Sequence, residues 1–309
     1  MISVIIPYHN RFEKLQRCLH SVLNQSFSNF EVLIVDDASE NPLLLDDHPK
    51  VRIFHNTENR GPGFSRNVGL SHAQGNFIAF LDSDDYWHPD FLKITYKIFL
   101  EHPKIAMVYA NGMEVESDQN IIGFRRNKVK KLTSILPEIL SVNRHWGTGG
   151  CVWRKNVIQN IRWSNLFTWE DYVFDVEAAL HNNAVVGIED ALVYYDISGN
   201  DKLSARNPTL VLQDKIQGIL RISELLLDSS FKKNPKIKYS ISYLLLMSLL
   251  EMNELAINDL KFKKTLEHEF RHWNSFFINY FLRILLKFPD KQEKRGLEYL
   301  TRFYRKLRN

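Results

Sequence analysis

The sequence predicts an α/β fold, a mostly parallel sheet flanked by helices and followed by an α-helical C-terminal region. Three observations predict it. In the first half, short apolar runs rich in β-branched residues alternate with stretches of helical periodicity, the pattern of a parallel sheet with right-handed crossovers. Three of the strand ends carry polar groups, at Tyr8-His9-Asn10, Asp36-Asp37 and Asp82 through Asp85, and ligands of such sheets sit at the carboxyl ends of the strands. From Thr209 onward the apolar spacing is helical throughout.

In chain order, residues 3–8 read as a buried strand by length and β-branching, ended by Pro7. Phe12, Leu15, Leu19, Val22 and Leu23 recur at helical spacing and give a helix from Arg11 to Asn24. Glu31 to Val35 is a second strand and Val51 to Phe54 a third; Gly61-Pro62-Gly63 forces a turn before a helix from Phe64 to His72. The central stretch follows, Gly75 to Leu81, a short apolar strand running straight into Asp82-Ser83-Asp84-Asp85. Carboxylates crowded at a strand end repel and raise one another's pKa. A divalent cation with a preference for oxygen ligands, Mg²⁺ or Mn²⁺, removes that cost and in turn holds phosphates. The plain alternative is a solvated acidic turn. Asp85 instead suits the cap of a helix that begins around His88-Pro89-Asp90 and runs to His102.

Composition bounds the rest. The chain has 309 residues, 44% of them hydrophobic and 25% charged, as in ordinary globular proteins. A net charge of +4 is too mild to indicate a nucleic-acid binder. Cys18 and Cys151 are the only cysteines, which excludes a disulfide framework and a Cys-rich zinc site and suits a reducing compartment. No basic stretch followed by a long apolar run opens the chain, so no signal peptide is expected, and no run reaches the roughly 18 apolar residues of a membrane span. The first turn reads Pro7-Tyr8-His9-Asn10-Arg11 rather than G-x-G-x-x-G, and there is no Walker A sequence.

Taken together, Ser3 to Asn10, Val35-Asp36-Asp37-Ala38-Ser39, Gly61 to Gly69 with Arg66-Asn67, and Gly75 through Asp85 resemble the family 2 inverting glycosyltransferases of GT-A fold, in motif order and spacing over about residues 2–200. The resemblance implies a UDP-sugar donor, Mn²⁺ or Mg²⁺, and transfer with inversion. By position it implies that Pro7, Tyr8 and Asn10 line the base and ribose pocket. Asp37, with Asp36 beside it, would accept from uracil N3–H; the alternative for that pair is an Asx turn. Arg66 and Ser83 would reach the nucleotide, Asp84 would be the direct metal ligand, and Asp82 would lie nearer the ribose or join the metal through water. Gly149 and Gly150, in His145-Trp146-Gly147-Thr148-Gly149-Gly150-Cys151, would let a donor sugar approach the backbone, with Trp146 as a stacking face; a plain glycine turn reads equally well.

Ile105 to Val115 reads as a strand with Ile121 to Arg126 as its partner, and Ala191 to Ile197 as another. Between them, Glu170-Asp171 opens a helix with apolar residues at Val173, Phe174, Val176 and Leu180. Acidic residues in a first helical turn suit the helix dipole. The resemblance makes Asp171 the general base that takes the acceptor proton, with Glu170 orienting acceptor or helix; Trp169 beside the pair reads as acceptor wall or equally as core. It also implies that the polar loop Ser198 to Arg206 covers the diphosphate, with Ser204 and Arg206 as contacts; an ordinary linker to the next domain reads equally well.

These readings define residues 1–207 as a catalytic domain and 208–309 as a helical region with a membrane-surface, acceptor or oligomerisation role. Basic residues alternate with aromatic ones from 271 to 309, and Arg125 to Lys131 is a second basic run; amphipathic helices of the first kind can lie on an anionic membrane. The expected protein is a cytoplasmic hexosyltransferase, with peripheral contact at the inner face of the cell membrane as a candidate role for those helices. Its expected partners are a UDP-sugar donor and a glycan or lipid-linked glycan acceptor of bacterial surface polysaccharide or lipooligosaccharide. Nucleic acid is not expected, and self-association stays open. One alternative is a nucleotide-sugar binder without turnover. Another is a zinc metalloprotease through His268-Glu269-Phe270-Arg271-His272, a literal H-E-x-x-H, although Glu267 and Arg271 are ill suited to a buried zinc helix; Glu293 would be the third ligand.

Overall fold

A computed structural model describes all residues except 117–119, 126–131, 142–143, 199–206, 256, 258 and 274–309. Most of the 125–131 basic run, the candidate diphosphate contacts Ser204 and Arg206, Glu293 and nearly all of the basic aromatic C-terminal stretch lie outside the described residues. The chain forms two compact units, Met1–Ile135 with Arg144–Leu203, and Leu136–Asn143 with Ser204–Asn309.

In the first unit β1 (Ile2–Tyr8), β2 (Phe30–Asp36), β3 (Val51–His55) and β4 (Phe77–Phe80) are all parallel where they pair, with α1 (Phe12–Leu23) and α2 (Pro62–His72) as crossovers. Every residue of β1, β2 and β4 is buried, which is why these strands read as unbroken apolar runs rather than as alternating patterns. Register aligns Tyr8 with Asp36 and Ile5 with Phe80, and the Leu81 N–H continues the ladder to the Ile5 carbonyl at 2.9 Å. The polar residues after all three strands therefore emerge along one edge.

The second half of the sheet is mixed. β5 (Tyr86–Trp87), α3 (Phe91–Glu101), β6 (Met107–Glu116) and β7 (Asn120–Phe124) precede β8 (Cys151–Arg154), α5 (Lys155–Ile158), α6 (Glu170–His181) and β9 (Val185–Asp196); α4 (Glu138–Ser141) belongs to the second unit. The strand order is β3-β2-β1-β4-β8-β6-β9-β5, with β7 paired antiparallel to β6. β8 runs antiparallel to both β4 and β6, while β6 and β9 are parallel. The antiparallel β8 returns Gly149-Gly150 to the edge where β4 ends.

The glycines before β8 have a packing reason. A Cβ at Gly112, Gly147 or Gly150 would overlap the Tyr195 ring or its hydroxyl, and the Gly147 N–H donates to the Tyr195 oxygen at 3.1 Å. Trp87 Nε1 donates to the Gly149 carbonyl at 2.6 Å. The glycine-rich stretch thus admits the close approach of Tyr195 to Gly147 and Gly150, while a Cβ at Gly149 would meet Leu81 at 3.1 Å.

The second unit is helical: α4, α7 (Pro208–Leu227), α8 (Pro235–Glu254) and α9 (Leu260–Trp273), with a 3₁₀ turn at Ser230–Lys233. Asn207 caps α7 by accepting from the Thr209 N–H, and Pro208 opens it. Leu212, Ile216, Ile219, Ile222 and Leu226 are its buried stripe, and Ile237, Ile241 and Leu245 are that of α8. No helix among the described residues is long and apolar enough to cross a membrane.

Candidate active site

The carboxyl-terminal edge of the sheet carries the acidic cluster. Asp82 and Asp84 are partly exposed there, their side chains 35% and 22% accessible, whereas Ser83 and Asp85 are buried. Each of the two open carboxylates meets a guanidinium: Asp82 Oδ1 accepts from Arg66 at 2.6 Å and Asp84 Oδ2 from Arg11 at 2.8 Å. Burial, then the Asp82 charge, holds the Asp84 carboxyl above its ordinary value despite Arg11. Burial followed by Asp84 and Asp82 pushes Asp85 up much further. Asp85 does not cap a helix. It accepts the Asp196 N–H at 3.1 Å, while Asp90 stands at the start of α3.

The donor set fits a hard divalent cation: two adjacent oxygen ligands reachable from solvent, in a site whose negative potential already draws two cationic side chains. Asp84 pairs with a partly exposed arginine, and a metal held there would take the place of that contact.

Arg66 connects this cluster to the second acidic pair. It is 3% exposed, lies over the Trp163 ring at 4.4 Å, and donates to Glu170 Oε1 at 3.3 Å as well as to Asp82. Trp163 is stacked on Phe174 at 4.2 Å, and Phe80 meets both edge-on at 5.1 and 5.8 Å. This aromatic shelf joins the end of β4 to α6 and fixes the height of the guanidinium between them.

α6 begins abruptly. Trp169 adopts φ 69°, a left-handed conformation costing a non-glycine residue about 1–2 kcal/mol, and stacks on Tyr172 at 4.7 Å. Trp169 is half-buried, and it stands next to Asp171, where an acceptor wall was expected. Asp171 has a side chain 26% exposed and pairs with Arg144 Nη1 at 2.8 Å; its Oδ1 accepts its neighbour's Tyr172 N–H. Arg144 is itself 4% exposed and held by Asp175 Oδ2 at 2.7 Å and Thr148 Oγ1 at 3.3 Å. Asp171 is thus the open carboxylate of the pair, and Glu170 the buried one.

Glu170 titrates unusually. Burial, and next the charge of Asp171, raise its carboxyl from 4.5 to about 7, because Arg66 spends its shorter contact on Asp82. A carboxyl raised on folding contributes stability that is complete below the unfolded value of 4.5 and lost as the pH rises through about 7. Glu170→Gln is expected to flatten the fall in Tm across that window; an unchanged slope would assign the titration to another group.

Several expected site residues have partners within the protein. Trp146 is 2% exposed, donates from Nε1 to Asp175 at 2.7 Å and packs on Tyr109; with both faces covered it offers no sugar platform. Asp36 is 2% exposed and accepts from the N–H groups of Ser39 and Leu43 and meets His55 Nδ1. Burial opposes its ionisation, but those bonds outweigh it and hold the carboxyl below its usual value. Asp37 accepts from Asn56 Nδ2 and from the Arg60 and Gly61 N–H groups, the last at 2.7 Å. Asp36 therefore holds the loop that follows β2, while the bonds of Asp37 are long-range: it anchors the entry to α2, which carries Arg66. Pro7 and Tyr8 are buried at the end of β1, and Asn10, with φ 52°, is exposed and accepts the Glu40 N–H.

Residues not anticipated are Arg11, Arg144, Asp175, Trp163 and Tyr195. Only Asp175 left a readable signal, one helical turn after Asp171 on the same face. At the loop that leads toward residues 199–206, Asp196 accepts from Ser198 and pairs with Arg17.

A sheet of this order, with an acidic motif after its central strand tied through Arg66 to a second acidic pair at the start of α6, is that of a GT-A glycosyltransferase. Residues 3–160 match the family model described as Glycosyl transferase family 2, and the chain belongs to that family. It is 25% identical over 318 residues to an uncharacterized glycosyltransferase of Nostoc sp., across 98% of this chain and 93% of that protein. It is 37% identical over 128 residues to a chondroitin synthase of Pasteurella multocida, 40% of this chain and 13% of the synthase. It spans only 21% of the length of an uncharacterized glycosyltransferase of Rickettsia felis, at 36% identity. In fold it resembles S. aureus TarS 1–349 crystallised with UDP-GlcNAc, with a TM-score of 0.69 over 99% of this chain and 91% of that one, at 20% identity. The metalloprotease alternative is set aside: the chain belongs to a glycosyltransferase family, and His268, with a side chain 69% exposed, faces solvent on α9.

Proposed function

We propose that the protein transfers a hexose or N-acetylhexosamine from a UDP-sugar, with inversion and with Mn²⁺ or Mg²⁺, to a hydroxyl of a glycan or lipid-linked glycan. The observation that supports the reading is Arg66, which bonds Asp82 and Glu170 at once and so links the acidic motif after β4 to the acidic pair that opens α6. The relatives point the same way for the donor: TarS is crystallised with UDP and with UDP-GlcNAc. A cytoplasmic location and an acceptor in surface polysaccharide synthesis are part of the same proposal.

In this reading Asp84 holds the cation directly, with Asp82 beside it, and a cation so held supplies Lewis-acid stabilisation of the departing diphosphate. Pro7, Tyr8 and Asn10 border the nucleotide from the end of β1, and the Asp36–Asp37 turn frames it from β2. Arg66 stays fixed on Trp163 and sets the distance between donor and base. Arg11, which pairs with Asp84 at 2.8 Å, would supply a further positive charge beside a cation held there. Asp171 accepts the acceptor hydroxyl proton as that oxygen attacks the anomeric carbon from the face opposite the leaving group. One base and no protein nucleophile suffice for a single displacement.

The direct test is a screen of nucleotide-sugars for Mn²⁺-dependent transfer or hydrolysis; lack of turnover with every UDP-sugar would reject the donor assignment. The metal assignment has its own test. Asp84→Ala is expected to abolish the Mn²⁺-supported part of UDP binding in calorimetry, and equal affinity in the variant would move the cation away from Asp84.

A further inference from the structure

The sugar-transfer reading does not use the His268-Glu269-Phe270-Arg271-His272 stretch of α9, and the metalloprotease reading that did is set aside. We propose that His268, Glu269 and His272 form a surface site for a transition-metal ion of the zinc, nickel or cobalt class, separate from the cation of the catalytic cleft. One donor atom from each of the three side chains lies within 4.8 Å of the others, so small rotamer changes bring all of them onto one ion. The histidines are one helical turn apart, with ring centroids 4.6 Å from each other.

Two further contacts orient the set. His272 Nδ1 lies 3.1 Å from the His268 carbonyl, a contact in which the nitrogen must donate. That fixes the tautomer with Nδ1 protonated and leaves Nε2 as the ligand nitrogen. Glu269 Oε2 accepts from Ser223 Oγ at 2.8 Å, and Ser223 in turn accepts from Trp273 Nε1 at 2.6 Å. The buried pair on α7 and α9 therefore grips one carboxylate oxygen and leaves Oε1 turned toward His268, 3.8 Å from its Nδ1. A ligating carboxylate held from behind by a hydroxyl is the usual outer support of a metal site.

Two imidazoles and one carboxylate favour zinc, nickel or cobalt, whereas the all-oxygen set at Asp82 and Asp84 favours magnesium or manganese. The two sites should sort cations by chemistry. The α9 site has open coordination positions for water. It closes one turn of α9 and, through Glu269 and Ser223, ties that turn to α7. Its expected effect is on the stability of the helical unit rather than on sugar transfer.

The test uses the full chain without an affinity tag, titrated with Zn²⁺ by calorimetry in the presence of excess Mg²⁺, with Co²⁺ absorption as a spectroscopic check. The wild type and Asp84→Ala should each bind one zinc ion, with a rise in thermal stability. His268→Ala/His272→Ala should lose that ion and the cobalt bands while retaining Mg²⁺-supported transfer, since both histidines are exposed and belong to the helical unit rather than to the unit that carries Asp84 and Asp171. Glu269→Gln should weaken zinc about 10-fold or more while keeping the Ser223 bond. Undiminished zinc binding in the double histidine variant would overturn the proposal, and so would loss of zinc binding on Asp84→Ala alone. Because the readout is zinc affinity, its failure would leave the sugar-transfer reading standing.

Discussion

Asp171→Asn is expected to lower kcat for sugar transfer by about 10²–10⁴-fold, the usual contribution of a positioned general base, with UDP-sugar binding unchanged. The substitution keeps the side-chain oxygen that accepts the Tyr172 N–H but removes the basic carboxylate. Arg144 would remain in place on Asp175 and Thr148, so the pocket should keep its shape and the loss should fall on kcat rather than KM. Glu170→Gln should cost less, because Glu170 faces Arg66 and the aromatic shelf rather than solvent. Single-turnover transfer measured in both variants decides it. A larger loss at Glu170 than at Asp171 would exchange their roles.

Arg66→Met is the second large effect, on stability. The methionine can keep the apolar contact with Trp163, but Glu170 and Asp82 lose their shared cation. Removing one partner of a buried pair costs about 3–5 kcal/mol because a desolvated charge is left behind. The Glu170 side chain, 12% exposed, carries most of that cost, while Asp82, at 35%, is relieved by solvent. The expected fall in Tm is on the order of 10 °C well above pH 7, where Glu170 is ionised, and it should be small at and below about pH 7, where Glu170 takes up a proton instead of bearing an unpaired charge. A Tm unchanged at both pH values would mean that Arg66 is not the counter-charge described here.

Much of the fold was legible because fully buried parallel strands leave an unmistakable composition: Val4-Ile5-Ile6, Val32-Leu33-Ile34-Val35 and Phe77-Ile78-Ala79-Phe80 have no polar face to conceal. The acidic clusters were legible for the same reason, as polar residues placed where such runs stop. β8 was not. Its four residues are too few to show a period, and antiparallel pairing to both neighbours is a tertiary choice. The arginines were hidden more deeply. Arg11 and Arg66 meet acids 73 and 104 positions away, and an isolated arginine on a helix carries no mark of whether it faces solvent or a carboxylate. Trp146 misled because an aromatic beside glycines suggests a stacking surface; its indole N–H instead found Asp175, a partner that no local pattern announces.

The packing around Tyr195 has a mechanical consequence. Gly112 of β6 and Gly147 and Gly150 ahead of β8 close on this one ring from β9 so tightly that none of them could bear a methyl group. Rotation of the phenol about its axis would require three strands to separate together, in an interior that is packed like a crystal. The ring should therefore turn over slowly, giving distinct magnetic environments for its two edges. That same rigidity makes β6, β8 and β9 behave as one stiff plate beneath Asp85, against which the cleft's side chains can move without the floor yielding.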